Sequence, residues 1–186
     1  HYLRVTQLDP EHADAHLKLA QIYVGGRSLE RASEHVETVL KLRPRDPAGM
    51  GLRAAIRLSD DDVDGAIADA RQAFNRSDSD PELAVLLASA FARSGRLPEA
   101  LETIDLALTK QPGSEVLLEF AARFEYLNGN KIAASQYLTR LLAEAPDRTK
   151  IRRLLAALHN EHDRPDKAEA VLREGVARTP SNLSLI

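Results

Sequence analysis

Acidic residues after position 59 have the spacing of a calcium-binding loop. Asp60, Asp62 and Asp64, followed by Gly65, reproduce the first half of an EF-hand loop, in which alternate side chains supply oxygen ligands. The twelfth position of such a loop needs a bidentate glutamate, and here it is Arg71. We therefore favour an inter-helix turn, whose acids cap the positive end of the following helix, over a calcium site.

Two pairs of histidines have helical spacing. His12 and His16 are four residues apart, and His159 and His162 are three apart with Asp163 beside them, so each pair shares one helix face. Metal sites generally need three or four ligands, and two histidines do not supply them. The simpler interpretation is that these are solvated surface histidines.

Other arrangements that carry chemistry do not stand out in the sequence. The chain has no cysteine, which excludes disulfides, thiolate catalysis and cysteine-ligated zinc. No Ser-His-Asp set, glycine-rich phosphate loop or pair of buried carboxylates is recognisable. The sequence therefore predicts a protein that is not an enzyme and uses no cofactor and no metal.

The elements that must position any functional residue follow from a repeat of 34 residues, the period of a helix-turn-helix array. Alanine recurs in two columns and proline in a third, with Asp78 in the vacant proline slot. The columns are Ala20, Ala54, Ala88, Ala122 and Ala156; Ala32, Ala66, Ala100, Ala134 and Ala168; and Pro10, Pro44, Pro112, Pro146 and Pro180. Small side chains let paired helices touch, and each proline ends a second helix.

The period divides the chain into five full repeats within one solenoid domain, 1–186. The repeats are 13–46, 47–80, 81–114, 115–148 and 149–182, with partial repeats 1–12 and 183–186 at the two ends. Both ends are expected to be cut from a longer array. Each repeat packs only on its neighbours, so the core is a long strip.

The helix boundaries and one irregular repeat can also be predicted. Gly95 and Gly129 lie where a left-handed residue would end the first helix, and Asp61 and Asp163 take the equivalent slot. In the second repeat, Arg53 and Arg57 occupy positions that elsewhere are apolar. A shift of that helix by one residue, which would place Ala55 and Leu58 in the apolar slots, is one way to accommodate them.

These patterns resemble the tetratricopeptide repeat over essentially the whole chain. The matching residues in the first repeat are Leu19, Ala20, Tyr23, Ala32, Val36 and Pro44, and in the third Leu87, Ala88, Phe91, Ala100, Ala107 and Pro112. The usual tryptophan is absent, and Glu125 and His159 replace the expected aromatic residue in the fourth and fifth repeats. The resemblance implies an all-α, right-handed α-solenoid of antiparallel helix pairs.

The resemblance also implies a non-catalytic scaffold that holds a partner peptide or helix against its concave surface. In this family that surface is lined by the first helix of each repeat. The matching positions here are Leu17, Gln21 and Val24; Gly51, Ala55 and Leu58; Val85, Ser89 and Ala92; Glu119, Arg123 and Tyr126; Lys150, Arg153 and Asn160. The N-terminal half of this groove is small and apolar, whereas the C-terminal half carries cations and one tyrosine.

The net charge and the composition limit the class of partner that the sequence predicts. The formal net charge is −3 and aromatic residues make up 4% of the chain, which disfavours a nucleic-acid ligand. No apolar run approaches the roughly 18 residues that span a membrane, and the compartment, cytoplasmic or periplasmic, is left open. The basic cluster Arg148, Lys150, Arg152 and Arg153 is interpreted first as a solvated face and, alternatively, as a surface that steers a partner.

Two other functions stay open at this stage. The array is also consistent with a structural arm of a larger bacterial envelope or exopolysaccharide-export protein, since arginine outnumbers lysine as in GC-rich bacterial sources. Alternatively, the open ends of the array would allow weak self-association. The sequence names no particular partner.

Overall fold

A computed structural model describes residues 1–178 of the chain. This part of the chain contains eleven α-helices and no β-strand. The helices are α1 Tyr2–Leu8, α2 Ala13–Gly25, α3 Leu29–Leu42, α4 Pro47–Ser59, α5 Val63–Arg76, α6 Pro81–Arg93, α7 Leu97–Lys110, α8 Glu115–Leu127, α9 Lys131–Glu144, α10 Thr149–Glu161 and α11 Pro165–Arg178. The predictions for Pro180 and for the partial repeat 183–186 lie outside the described residues.

The helices follow the repeat, and the all-α fold is confirmed. The first helix of each pair begins 34 residues after the last, at Ala13, Pro47, Pro81, Glu115 and Thr149. Two of these starts combine an aspartate cap with proline in the first turn, where its missing N–H costs nothing. Asp46 accepts a hydrogen bond from the Gly49 N–H, and Asp80 accepts from the N–H groups of Glu82 and Leu83.

A residue in the left-handed conformation stands two residues after the end of each first helix of the five repeats, as predicted. Gly95 and Gly129 have φ of +79° and +82°, and Asp61 and Asp163 have φ of 66° and 52°. In the first repeat Arg27 takes this slot with φ 55°. The left-handed residue reverses the chain so that the second helix packs back on the first.

The two alanine columns lie where the helices touch. The first column is buried on the first helices and the second is buried on the second helices, and no member is more than 4% exposed. A methyl group at these positions allows a close approach of the paired helices, and a larger side chain would overpack the contact.

The vacant proline slot has a backbone explanation. The second helices α3, α7 and α9 end two residues before Pro44, Pro112 and Pro146. Asp78 stands in the same place after α5, but its φ is +50° and that of Ser79 is +67°. Proline fixes φ near −65° and cannot adopt this conformation.

The chain divides into two compact units, His1–Thr103 and Ile104–Ile186, with the division inside α7. In the N-terminal unit α2 packs on α3 and α4 on α5, and the first helices α2, α4 and α6 also contact one another in sequence order. In the C-terminal unit α8 packs on α9, and α10 packs on both α9 and α11.

The second repeat keeps its register, so the proposed shift of α4 by one residue is wrong. Arg53 and Arg57 remain in the apolar slots and both reach Asp69 on α5, which is 3% exposed. Arg53 donates to the two Asp69 oxygens at 2.8 Å each, and Arg57 Nη1 lies 2.9 Å from Asp69 Oδ2. A buried ionic cluster thus replaces apolar packing inside this helix pair.

Candidate protein-binding surface

The predicted binding positions all lie on first helices, so the fold presents them on a repeated element. In the N-terminal unit they are Leu17, Gln21 and Val24 on α2, Gly51, Ala55 and Leu58 on α4, and Val85, Ser89 and Ala92 on α6. In the C-terminal unit they are Glu119, Arg123 and Tyr126 on α8, and Lys150, Arg153 and Asn160 on α10. The polar members are exposed, apart from Ser89, and the apolar members of the N-terminal unit are half-buried or, for Gly51, buried.

The first helices of the N-terminal unit line a large depression, which we call the N-terminal cleft. Its volume is about 580 Å³. It is lined by Gln21, Asp46, Pro47, Ala48, Gly51, Leu52, Ala55, Ser77, Asp80, Glu82, Leu83 and Leu86. It includes three of the predicted positions, Gln21, Gly51 and Ala55, and three carboxylates that were not predicted to be there.

Gly51 belongs to the cleft because it allows α4 and α6 to approach closely. A Cβ atom built on Gly51 would lie 2.5 Å from Leu83 Cδ2. Glycine therefore lets the Leu83 side chain lie against the α4 backbone. The residue contributes space to the surface and no side chain of its own.

The C-terminal unit has a smaller depression between α8 and α10, which we call the C-terminal slot. Its volume is about 220 Å³, and α9 closes it from below. It is lined by Glu119, Ala122, Arg123, Tyr126, Ala134, Leu138, Ile151, Leu154 and Leu158. Three predicted positions, Glu119, Arg123 and Tyr126, line it, whereas Lys150, Arg153 and Asn160 lie outside the lining on α10.

The slot exposes large apolar side chains at its rim. Tyr126 is 45% exposed and Leu154 is 47% exposed. Leu158 lies one turn after Leu154, and Lys150 lies one turn before it, on the same face of α10. Exposed apolar groups around an apolar hollow are typical of surfaces that bind another molecule.

Two of the three acids on α8, Glu115 and Glu119, are paired with one arginine of the C-terminal unit, and Glu125 Oε2 is buried without a hydrogen-bond partner in the part of the chain that the structure describes. Arg148 Nη1 donates to Glu115 at 3.0 Å, and Arg148 Nη2 donates to Glu119. Arg123 stacks over Phe120, with the guanidinium 5.9 Å from the ring centroid. Arg123, which lines the slot, and the exposed Lys150 and Arg153 beside it on α10 have no acidic partner within 4.0 Å in the described chain, so this surface offers three cations to a ligand.

The basic cluster around position 150 is not one solvated face, which corrects the first interpretation of it. Arg152 is 2% exposed and donates hydrogen bonds at 2.9 Å to the carbonyl oxygens of Val171 and Pro146. Glu174 lies 3.4 Å from its guanidinium. Arg152 is therefore a structural residue that joins α10 to α11.

His16 is also not a surface residue, contrary to the prediction. It is 9% exposed; its Nδ1 lies 2.9 Å from His35 Nδ1, and its Nε2 lies 3.1 Å from the Pro10 carbonyl oxygen. His35 in turn stacks on Tyr23 at a ring separation of 5.6 Å. His12 accepts the Ala15 N–H through Nδ1 and caps α2. The two histidines of this pair therefore have different roles, a helix cap at His12 and a buried hydrogen-bonding residue at His16.

The acidic loop after α4 adopts the capping arrangement. Asp62 Oδ1 accepts the Gly65 N–H at 3.0 Å at the start of α5, and Asp61 pairs with Arg93 at 2.9 Å. Within residues 1–178, no group of three or more histidine and acidic residues is arranged to hold a metal ion. No helix in this range is long and apolar enough to cross a membrane.

The sequence prediction missed the leucines that shape both depressions. Leu52, Leu86 and Leu154 occupy the sixth position of their repeats, and Phe120 fills the same position in the fourth. This apolar column was visible as a further recurrence at intervals of 34 residues. It was missed because the positions taken from the family resemblance were the second, fifth, ninth and twelfth.

The chain belongs to the tetratricopeptide repeat family. A tetratricopeptide repeat model matches residues 2–56 and 128–185, and a second model of the same description matches residues 52–115. Proteins with this repeat are generally non-catalytic scaffolds for protein interactions, and the class of this chain is therefore a protein-binding α-solenoid.

Individual relatives are bacterial where their source is stated. Cellulose synthase operon protein C of Xanthomonas axonopodis pv. citri (strain 306) is 29% identical over 152 residues, or 77% of this chain. The chain spans 10% of the length of that relative.

Two solved structures show the same fold. A thermophilic TPR protein of Thermus thermophilus is 25% identical, with a TM-score of 0.66 over 93% of this chain and 94% of that one. The type IV pilus biogenesis factor PilW has a TM-score of 0.82 over 99% of this chain and 86% of its own, at 16% identity.

Proposed function

We propose that this chain is a scaffold whose C-terminal slot binds an apolar segment of a partner protein that also carries acidic residues. The observation that carries the proposal is the exposure of Tyr126 and Leu154 around an apolar hollow on the first helices. Covering them would remove apolar surface from water, at about 25 cal/mol per Å². The proposed role needs no catalytic step and no cofactor.

The charge of the rim supports an acidic ligand. Arg123, Lys150 and Arg153 are exposed on α8 and α10, while Glu115 and Glu119 of α8 are held by Arg148. A carboxylate on the partner would form charge-assisted hydrogen bonds with these cations and would orient the segment in the slot. The apolar contacts would supply affinity, and the charges would supply direction and association rate.

A synthetic peptide tests this function. A short amphipathic peptide of leucine and glutamate should bind the 186-residue chain, as measured by fluorescence anisotropy. Leu154→Asp should raise its dissociation rate by removing the apolar anchor, and the double variant Arg123→Glu, Arg153→Glu should slow its association. Arg173→Glu, a charge reversal at an exposed arginine on α11, is the control.

The control distinguishes binding in the slot from attraction of the peptide to the net charge of the chain. If Arg173→Glu weakens binding as much as the double variant does, the peptide is held by net charge alone and the slot is not the site. Unchanged binding in Leu154→Asp would contradict the apolar anchor. Thermal unfolding of each variant distinguishes lost binding from lost structure.

A structural arm in an export protein is the second candidate, supported by the likeness to cellulose synthase operon protein C. In the full-length protein of the source organism, unrelated tetratricopeptide repeats of equal number would replace residues 13–178. If export is retained after this replacement, the structural arm is favoured. If export is lost both after the replacement and in the Leu154→Asp variant, specific binding is favoured. Sedimentation of the isolated chain at increasing concentration tests self-association through the array ends.

A further inference from the structure

The N-terminal cleft differs in charge from the C-terminal slot, and this difference identifies a second ligand chemistry. We propose that the N-terminal cleft binds a basic amphipathic segment of a partner protein, with apolar side chains against its leucines and lysine or arginine toward its acids. The proposal rests on the scaffold function above, and it assigns this cleft a ligand opposite in charge to that of the slot.

The floor of the cleft is apolar and only partly covered. Leu52, Leu83 and Leu86 are each half-buried, and Leu52 and Leu83 pack beneath against the core between α2, α3 and α4. Their remaining exposed surface lies inside a depression wide enough for side chains of a second segment. Small residues, Ala48 and Ala55 among them, leave that space open.

The rim of the cleft carries three carboxylates and no lysine or arginine. Asp46 and Asp80 each use Oδ1 to cap a helix, and Arg43 lies 4.0 Å from Asp46 Oδ2. Arg43 is engaged elsewhere, since it donates to both oxygens of Asp14 at 2.7 and 3.2 Å. In the described chain no side chain pairs with the exposed Glu82 carboxylate.

The helix ends beneath these acids do not cancel their charge. Asp46 and Asp80 cap α4 and α6, and each helix N-terminus contributes about half of an elementary positive charge. Three carboxylates against two such termini leave roughly two negative charges, and Lys18, which donates to Gln21 Oε1 of the cleft lining at 3.1 Å, offsets one of them. An acidic segment would be repelled by this rim, whereas a lysine or arginine on the ligand would gain a partner.

The N-terminal half of the chain was expected to offer a small apolar groove, and the acids modify that expectation. Asp46 and Asp80 occupy the last position of their repeats, directly before proline, and Glu82 occupies the second position of the third repeat. The folded chain brings these residues to one depression together with Leu86 on α6. The ligand predicted by this arrangement is therefore basic as well as apolar.

The test uses the leucine–glutamate peptide described above and its counterpart with lysine in place of each glutamate. The lysine peptide should bind the 186-residue chain and lose about three- to fivefold in affinity in Glu82→Gln, in line with the loss of one exposed ion pair. Glu82→Lys should cost about tenfold, because it also introduces repulsion. Leu86→Ala should weaken binding through lost apolar contact, without a change in charge.

Glu102→Lys is the matched control, since Glu102 is an exposed glutamate of the same unit that lies outside the cleft. Equal weakening by Glu82→Lys and Glu102→Lys would overturn the proposal, because the peptide would then respond only to net charge. Unchanged binding in Glu82→Lys and Leu86→Ala would overturn it as well. Thermal midpoints of the variants confirm that they are folded.

The two peptides separate this proposal from the one on which it rests. Binding of the glutamate peptide at the slot, with lysine-peptide binding that ignores the Glu82 variants, would contradict the cleft alone. Failure of both peptides would contradict the scaffold function itself. If the chain dimerises and Glu82→Lys abolishes the dimer, the occupant is a second copy of the chain and not a basic partner segment.

Discussion

Two neighbouring helix pairs of the N-terminal unit share a polar residue at one repeat position, Asp69 and His35, but the surrounding groups use different chemistry. In α4 and α5, Asp69 is surrounded by the guanidinium groups of Arg53 and Arg57. In α2 and α3, the position equivalent to Asp69 is His35, which bonds to His16 and stacks on Tyr23. One interior is an ion cluster, and the other is a pair of imidazoles.

The difference shows that the repeat accepts different polar groups in its interior when their hydrogen bonds are satisfied. Each interior satisfies its own donors and acceptors, since a buried polar atom without a partner costs about 1 to 3 kcal/mol. Hydrogen bonding to Asp69 raises the pKa of Arg53. Burial lowers the pKa of His35, so we expect the stability of the histidine interior to respond to acidification.

Removing the acid from the ion cluster should have the largest effect. Asp69→Ala leaves two guanidinium groups without their buried partner, and breaking a buried ion pair in this way costs about 3 to 5 kcal/mol. Because Arg53 and Arg57 keep partial access to water, we expect about 3 kcal/mol. Urea unfolding measures this change, with the exposed Asp64→Ala on the same helix as the control.

A triple replacement sharpens the same comparison. Arg53→Leu, Arg57→Phe and Asp69→Thr together copy the third repeat, which has Leu87, Phe91 and Thr103 at these positions. Replacement of a buried ion cluster by apolar packing is often neutral or stabilising. Recovery of most of the parent stability would support this explanation; a triple variant as unstable as Asp69→Ala would contradict it.

The contact shared by all helix pairs is the alanine column, and its disruption should have the next largest effect. Ala100 is fully buried in its column, whereas Ala92 is half-buried on α6. Ala100→Leu should cost about 1 to 3 kcal/mol by overpacking, and Ala92→Leu should cost little. Equal shifts of the urea midpoint would show that the alanine column does not set the helix spacing.

Acidification should affect the histidine interior more than the ionic one. Burial, and then the nearby His16, lower the pKa of His35 from its ordinary 6.5, against a smaller opposing effect of Glu34. Between the pKa of His35 in the folded chain and its ordinary value of 6.5, the unfolded chain binds more protons than the folded one. The stability that neutral His35 contributes is therefore present above pH 6.5 and is lost as the pH falls.

The hydrogen bonds between His16 and His35 also predict a loss of stability on acidification. His16 Nε2 must donate to the Pro10 carbonyl, so in the neutral pair His16 Nδ1 accepts the proton of His35 Nδ1. Protonation of both rings would place two N–H groups face to face. The thermal midpoint should therefore fall between about pH 7.5 and 5.5, and the fall should be smaller in His35→Gln. The exposed His1→Gln is the control, and an equal fall in both variants would contradict this role of His35.

The sequence predicted local features well because they depend on local chemistry. The left-handed turns at Gly95 and Asp61 follow from φ preferences, and the alanine columns follow from a period that any helix pair must keep. The partners of Arg152 are the carbonyl groups of Pro146 and Val171, which no residue type reveals. Likewise, whether His16 is buried depends on the residues across the helix contact, not on its spacing from His12.

The smallest expected effect concerns the acidic loop between the two helices of the ionic pair. Asp62 is a helix cap, so Asp62→Ala should cost about 1 kcal/mol with or without calcium. Arg71, at the position where an EF-hand needs a bidentate glutamate, lies on α5, with its guanidinium 5.3 Å from the Phe91 ring centroid. Millimolar calcium should therefore leave the thermal midpoint unchanged. A calcium-dependent rise that disappears in Asp62→Ala would show that the loop binds the ion and that its acids do more than cap α5.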